Sequence, residues 1–203
     1  VATTPTAKPS TFIQEKRRQQ LVDATITVLA ETGVAGATFV AIAARAGVSR
    51  GVINYHFADR AALLDAVVVH VYSLGRDEVE SSVQSASTPA AAIRAMIIGS
   101  IAFYARHIHE MTALSAIYRS DDVDAVGRDD RGEHSAEMAK LTVILRRGQR
   151  TREFRRFDVD VMAASLRAVL DSAIGQLAAG ADPTRLGREI GNLFDSATRS
   201  ETS

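Results

Sequence analysis

The sequence predicts an all-α fold of about nine helices, with a three-helix N-terminal domain over 12–60 and a larger helical bundle over 61–203. Three observations support this. No stretch keeps the period-2 alternation of a half-buried strand. Apolar residues instead recur at i, i+3, i+4 and i+7 in long alanine- and leucine-rich segments. Gly, Pro and Asp/Ser clusters punctuate those segments where helices start and stop.

Residues 1–11, VATTPTAKPST, are small and polar with two prolines and read as a loose arm without the apolar core of a signal peptide. A first helix from Glu15 to Glu31 carries Leu21, Val22, Ile26, Val28 and Leu29 on adjacent ridges and stops at Gly33. Thr38 can cap a short second helix in which Phe39, Ile42, Ala43 and Ala46 share one buried face. Gly47 turns the chain and Ser49 caps a third helix of about seven residues. A long helix runs from Arg60 towards Ser85 and carries the domain boundary, and Thr88-Pro89 opens the next. Further helices are expected over 89–107, 109–120, 132–150, 158–180 and 183–198, the last capped by Asp182 ahead of Pro183.

Composition narrows the function classes. There is no cysteine, so disulfides, thiolate catalysis and cysteine-held zinc are excluded, which suits a reducing cytoplasm. The apolar runs look too short to span a membrane, and no membrane partner is expected. Net charge is zero, with 24 basic and 24 acidic residues. They are not evenly spread: residues 1–60 hold seven Lys/Arg against four acids, a net +3, and the remainder is correspondingly acidic.

The third helix, within "VSRGVINYHF" (48–57), spends exposed positions on residues that favour helix poorly. At about 100° per residue, Arg50, Gly51, Asn54 and Tyr55 fall within an arc of roughly 140°, with Val52 and Ile53 flanking the opposite direction. Glycine inside a helix costs about 1 kcal/mol relative to alanine, so its place here points to close approach of another surface. An α-helix fits the major groove of B-DNA, where Asn can pair with adenine and Arg with guanine. Two short helices joined by a Gly-containing turn are the helix-turn-helix plan. Beside that face, Tyr55, His56 and Arg60 can each donate to phosphate oxygens, and a cation at a helix start, as at Arg60, is at ease only near an anion.

These residues carry a resemblance. The stretch "ATFVAIAARAGVSRGVINYHFADRAALL" (37–64) resembles the N-terminal pattern of the TetR family of bacterial regulators at Thr38, Ile42, Ala43, Ala46, Gly47, Val48, Ser49, Gly51, Tyr55, His56, Phe57, Leu63 and Leu64. The match covers the first quarter to third of the chain. Further on, "GQRTREFRRF" is similar to that family's turn into its penultimate helix, with Arg152 where glycine is often seen. Asn54 stands where many members carry Tyr, and Arg60 where Lys is commonest. The resemblance implies that Thr38, Ser49, Tyr55, His56 and Arg60 hold phosphates. It implies that Arg45, Arg50, Gly51 and Asn54 face base edges, and that Lys16, Arg17 and Arg18 lie near the backbone or minor groove. The function implied is a DNA-binding transcriptional regulator, a repressor reading a palindromic operator as a homodimer, with no cofactor and no catalysis. The rival class is an all-helical small-ligand-binding enzyme or carrier.

The C-terminal part offers a seam and a pocket. Ala164, Ala168 and Gly175 permit close helix approach, and Leu186, Ile190 and Leu193 form an apolar stripe. By resemblance, these last two helices pair with their symmetry mates; an ordinary core hairpin within one chain is the other reading. Residues 91–120 are apolar around much of their circumference yet contain Met96, Phe103, Tyr104, Met111 and Tyr118, with Arg106 and His107 available to an acidic ligand. Such a mixture suits a small-molecule site, and core filler equally. The family resemblance implies that an effector bound there releases DNA.

Other constellations are weaker. "DVDAVGRDDRGE" (122–133) resembles a calcium loop at Asp122, Asp124, Gly127, Asp130 and Glu133, but Val126 removes a ligand position, and a solvated connection is expected. His107 and His109 diverge on a helix and cannot share a metal, and none is expected. The six arginines of 146–156 read as a solvated helix end.

Overall fold

The protein is described by a computed structural model covering residues 9–121 and 130–200. Among these, nine α-helices follow one another: α1 (Pro9–Gly36), α2 (Phe39–Ala46), α3 (Arg50–His56), α4 (Arg60–Gln84), α5 (Pro89–Arg106), α6 (Ile108–Tyr118), α7 (Asp130–Arg150), α8 (Val159–Ala178) and α9 (Pro183–Thr198). The only β-pairing among the described residues is an isolated antiparallel bridge between Phe154 and Arg199.

Most helix ends follow from local chemistry. Side chains of Thr38, Asp59, Thr88, Asp158 and Asp182 each accept from backbone N–H groups of the turn they open. Gly47 sits at φ 66°, ψ 34°, the left-handed conformation that ends α2. Two expectations need correction. α1 starts at Pro9 rather than Glu15, because proline suits the first helical turn and no breaker follows it; the predicted arm therefore overlaps a helix. Ser49 has the extended backbone of a cap, but its hydroxyl makes no capping bond. The break at Gly33 falls as expected, at φ 70°, ψ −175°, although helical turns resume as far as Gly36.

The apolar faces meet in one continuous core. α1 buries Leu21, Val22, Ile26 and Leu29 and lies chiefly against α6, α2 and α4. Ile42 of α2 and Ile53 of α3 are wholly buried, and Phe57 closes the unit. α4 then runs outwards with Leu63, Leu64, Val67, Val68 and Val71 buried, packing on α5 and α6. α5 is central, touching α4, α7, α8 and α9. α8 is long and apolar enough to cross a membrane by length and composition, contrary to the expectation that no run is. Its Leu166, Leu170 and Ile174 are nonetheless buried in this bundle.

The α7–α8 turn is tied to the end of α9: Arg155 N–H donates to the Thr198 carbonyl at 2.9 Å, and Ser200 Oγ to the Arg152 carbonyl at 2.9 Å. Arg152 adopts φ 59°, left-handed for a residue with a β-carbon. The Phe154 ring lies flat against Gly148, where an added β-carbon would overlap it. Gly148→Ala is therefore expected to lower stability by about 1–3 kcal/mol. Arg152→Gly should raise it by about 0.5–1 kcal/mol, the relief of left-handed strain less the extra chain entropy of glycine. Urea denaturation of the two variants checks both signs.

Candidate DNA interface and ligand cavity

α3 presents Arg50, Gly51, Asn54 and Tyr55 together at the surface, with Tyr55 71% exposed and Ile53 wholly buried beneath them. A β-carbon built on Gly51 would meet nothing nearer than Ser49 Oγ at 3.7 Å. The chain's own packing gives no reason for glycine here.

Two glutamines that the sequence reading missed brace this face. Gln14 donates to the Tyr55 hydroxyl at 3.1 Å, and Gln20 to the Ala46 carbonyl at 2.8 Å. They join α1 to the ends of α3 and α2. Spacing alone could not reveal them, since 41 and 26 residues separate the partners. His56 meets the Tyr55 ring edge-on, centroids 5.1 Å apart.

The cations expected at DNA divide into two groups. Lys16, Arg17 and Arg50 are exposed, and Arg17 does no more than donate to Gln20 at 2.7 Å. The others are engaged inside the protein. Arg18 stacks over Phe57, 4.2 Å from the ring centroid, and donates to the His56 carbonyl at 3.2 Å, closing the C-terminus of α3. Arg45 pairs with Glu31 across α1 and α2. Arg60 reaches back to the carbonyls of Ala37, at 3.0 Å, and Val34. A cation at the start of α4 is thus accommodated by carbonyl oxygens of the α1–α2 connection, and no outside anion is needed to explain it.

In the bundle, a cavity of about 490 Å³ opens between α4, α5, α7 and α8. Met96, Phe103, Tyr104 and Met111 line it, and Tyr118 lines an adjoining cavity of about 320 Å³ that shares Met111. Arg106 and His107 line neither and are corrected. The α5–α6 break at His107, φ −115°, turns both towards Glu78 of α4, with His107 Nε2 2.8 Å from its carboxylate. Hydrogen bonds from Arg106 and His107 hold the Glu78 carboxyl below its usual range.

Among the polar groups that border the cavity, Arg167 of α8 lies next to both volumes. Its Nη2 lies 2.6 Å from Asp171 Oδ1, and its buried Nε has no hydrogen-bond partner among the described residues. Burial works against its charge, but the Asp171 carboxylate beside it favours the protonated form. Burial also pushes the Tyr104 phenol up, so it stays neutral. Tyr118 donates to Tyr72 at 3.1 Å, linking α6 to α4 across the polar end. Arg167 was legible in principle, as the lone cation in the apolar run 157–178.

On the exposed side of α8, which Asp171 shares, Ala164, Ala168 and Gly175 face outwards, as does Leu193 of α9, 55% exposed. Ile190 does not join them: the inner side of α9 packs on α5, burying Ile190 and half-burying Leu186. No cluster of metal-ligating residues occurs among the described residues. The candidate calcium loop falls largely outside them, and its Glu133 pairs with Arg76 at 2.6 Å.

Residues 21–67, from the buried half of α1 through the start of α4, match the family described as bacterial regulatory proteins, tetR family. This stretch is a TetR-family segment. It is 34% identical over 118 residues to the HTH-type transcriptional regulator BetI of Serratia proteamaculans, covering 50% of this chain and 60% of that protein. Against BetI of Paraburkholderia phytofirmans the identity is 43% over 63 residues, 31% and 32% of the two chains. The chain thus spans between a third and three-fifths of the length of these curated relatives. The TetR-type fold extends further: FadR of Bacillus subtilis, solved in complex with stearoyl-CoA, superposes with a TM-score of 0.77 at 18% identity, over 88% of this chain and 97% of that one.

The two groups of arginines are separable without DNA. Arg60→Met removes hydrogen bonds to two carbonyls and is expected to cost about 1–3 kcal/mol of stability, whereas Arg50→Met should stay within about 0.5 kcal/mol of the parent. Thermal melts of the protein alone give the comparison.

Proposed function

We propose that this protein is a transcriptional repressor that binds a palindromic operator as a homodimer and is released by a small-molecule effector. The observation that carries the reading is the outward quartet Arg50, Gly51, Asn54 and Tyr55, on a helix whose inward side is fully packed. A rigid short helix with a glycine on its outer face suits the major groove. In this reading Arg50 and Asn54 meet base edges. Lys16, Arg17, Thr38, Ser49, Tyr55 and His56 line the phosphates, and Arg18, Arg45 and Arg60 chiefly hold the reading head in shape. Residues 12–60 form that head, and 61–203 the sensor and the dimer surface.

A dimer supplies the second half-site that one small reading head needs. The exposed small-residue face of α8 with Leu193 supports it. The cavity supports an effector, and the stearoyl-CoA complex of FadR is an instance of this fold holding a ligand. Linkage then requires effector and DNA to weaken each other by the same factor. The protein works in the cytoplasm, and its action is binding rather than catalysis.

A gel-shift titration with the native upstream region and a scrambled duplex of equal length tests the reading. Binding should favour the native duplex and fall steeply with salt. Tyr55→Ala and Lys16→Ala should weaken both duplexes alike. Arg50→Ala and Asn54→Ala should lose about 1–3 kcal/mol on the native duplex only. Indifference to all four substitutions would remove the reading face from α3 and favour the enzyme or carrier.

A further inference from the structure

The cavity has charged groups at two places. At its α4–α7 side, Arg76 pairs with Glu133 at 2.6 Å, and Lys140 lies 3.5 Å from Glu80 and 3.2 Å from Glu137. Those charges satisfy one another. Arg167 differs. Asp171, 49% exposed, takes Nη2 from the solvent side, while Nε is buried without an acceptor. Native structures leave few such groups, and an unsatisfied donor on a charged group is costlier than a neutral one. Met96, Phe103, Leu114, Leu166 and Leu170 form the apolar walls around it.

Taking that cavity as the effector site proposed above, we infer that the effector is a monocarboxylic acid with an apolar body, its carboxylate accepting from the Arg167 guanidinium. A guanidinium fork matches a planar carboxylate. Asp171 already neutralises part of the Arg167 charge, so a single added negative charge suits the site better than a dianion. The neutral Tyr104 phenol, whose hydroxyl bonds with Ser100, completes the polar end without adding charge. Tyr72, Phe103 and Tyr104 also border the cavity and could face a cationic head, but Arg167 in the same wall repels one.

Three probes of one length separate the alternatives: decanoate, decan-1-ol and decyltrimethylammonium, titrated calorimetrically below their micelle concentrations into the full chain. Decanoate should bind at least about 10-fold more tightly than the alcohol, the size of one charge-assisted hydrogen bond, and the ammonium most weakly. Arg167→Gln should bring decanoate down to the alcohol's affinity and leave the alcohol unchanged. Asp171→Asn, at a half-exposed position, should tighten decanoate by removing its competitor, and it stands as the test if Arg167→Gln fails to fold. Equal affinities for acid and alcohol, or tightest binding of the ammonium, overturn this inference and leave the cavity a sensor. Failure of all three to bind, with operator binding intact, overturns both the inference and the sensor role of the cavity, while the DNA reading survives.

Discussion

The arrangement depends on one helix being shared between two jobs. The first turns of α4 are buried with the reading head through Leu63, Leu64 and Val67, and its later turns supply Tyr72, Gly75 and Val79 to the cavity wall. Burying each such leucine or valine is worth about 1.5–3 kcal/mol, so neither end can let go cheaply. Asp59 caps the helix, and Arg60 ties its first residue to the connection between α1 and α2. The helix is thus anchored at one end to the α1–α2 connection and built at the other into the cavity wall. α6 reinforces this by packing on α1 as well as on α4.

Much of this was legible because helix ends are local. Thr38, Gly47, Thr88, Asp182 and Pro183 specify their boundaries through side-chain oxygens, positive φ or a fixed φ, and need no knowledge of the rest of the chain. The outward face of α3 was legible for a similar reason, since seven residues leave few ways to bury Ile53. Side chains with long reach were the harder part. Nothing near Arg60 in sequence announces that it will find the carbonyls of Val34 and Ala37, or near Arg18 that it will stack on Phe57. Arginine stems bury readily while their heads seek whatever acceptors tertiary structure provides.

The cavity shows the same division. Apolar positions such as Met96, Phe103 and Met111 reach it because periodicity puts them on the inward side of α5 and α6. Arg106 and His107 leave it because the chain breaks between those helices, a break that no glycine or proline marks. In α9, apolar periodicity identified a stripe but not its partner: Ile190 faces α5, and Leu193, one turn on, faces outwards. Periodicity tells which residues share a side and not what that side meets.

The core is continuous from Leu21 of α1 to Phe194 of α9. Reader and sensor are not separate globules on a string, and cutting between them would strip apolar surface from both. Melting is then a single cooperative event, and a lesion deep in the sensor removes the reader too. For a repressor of the kind proposed above, damage anywhere in this core would release the gene, so loss of function and induction would share a phenotype.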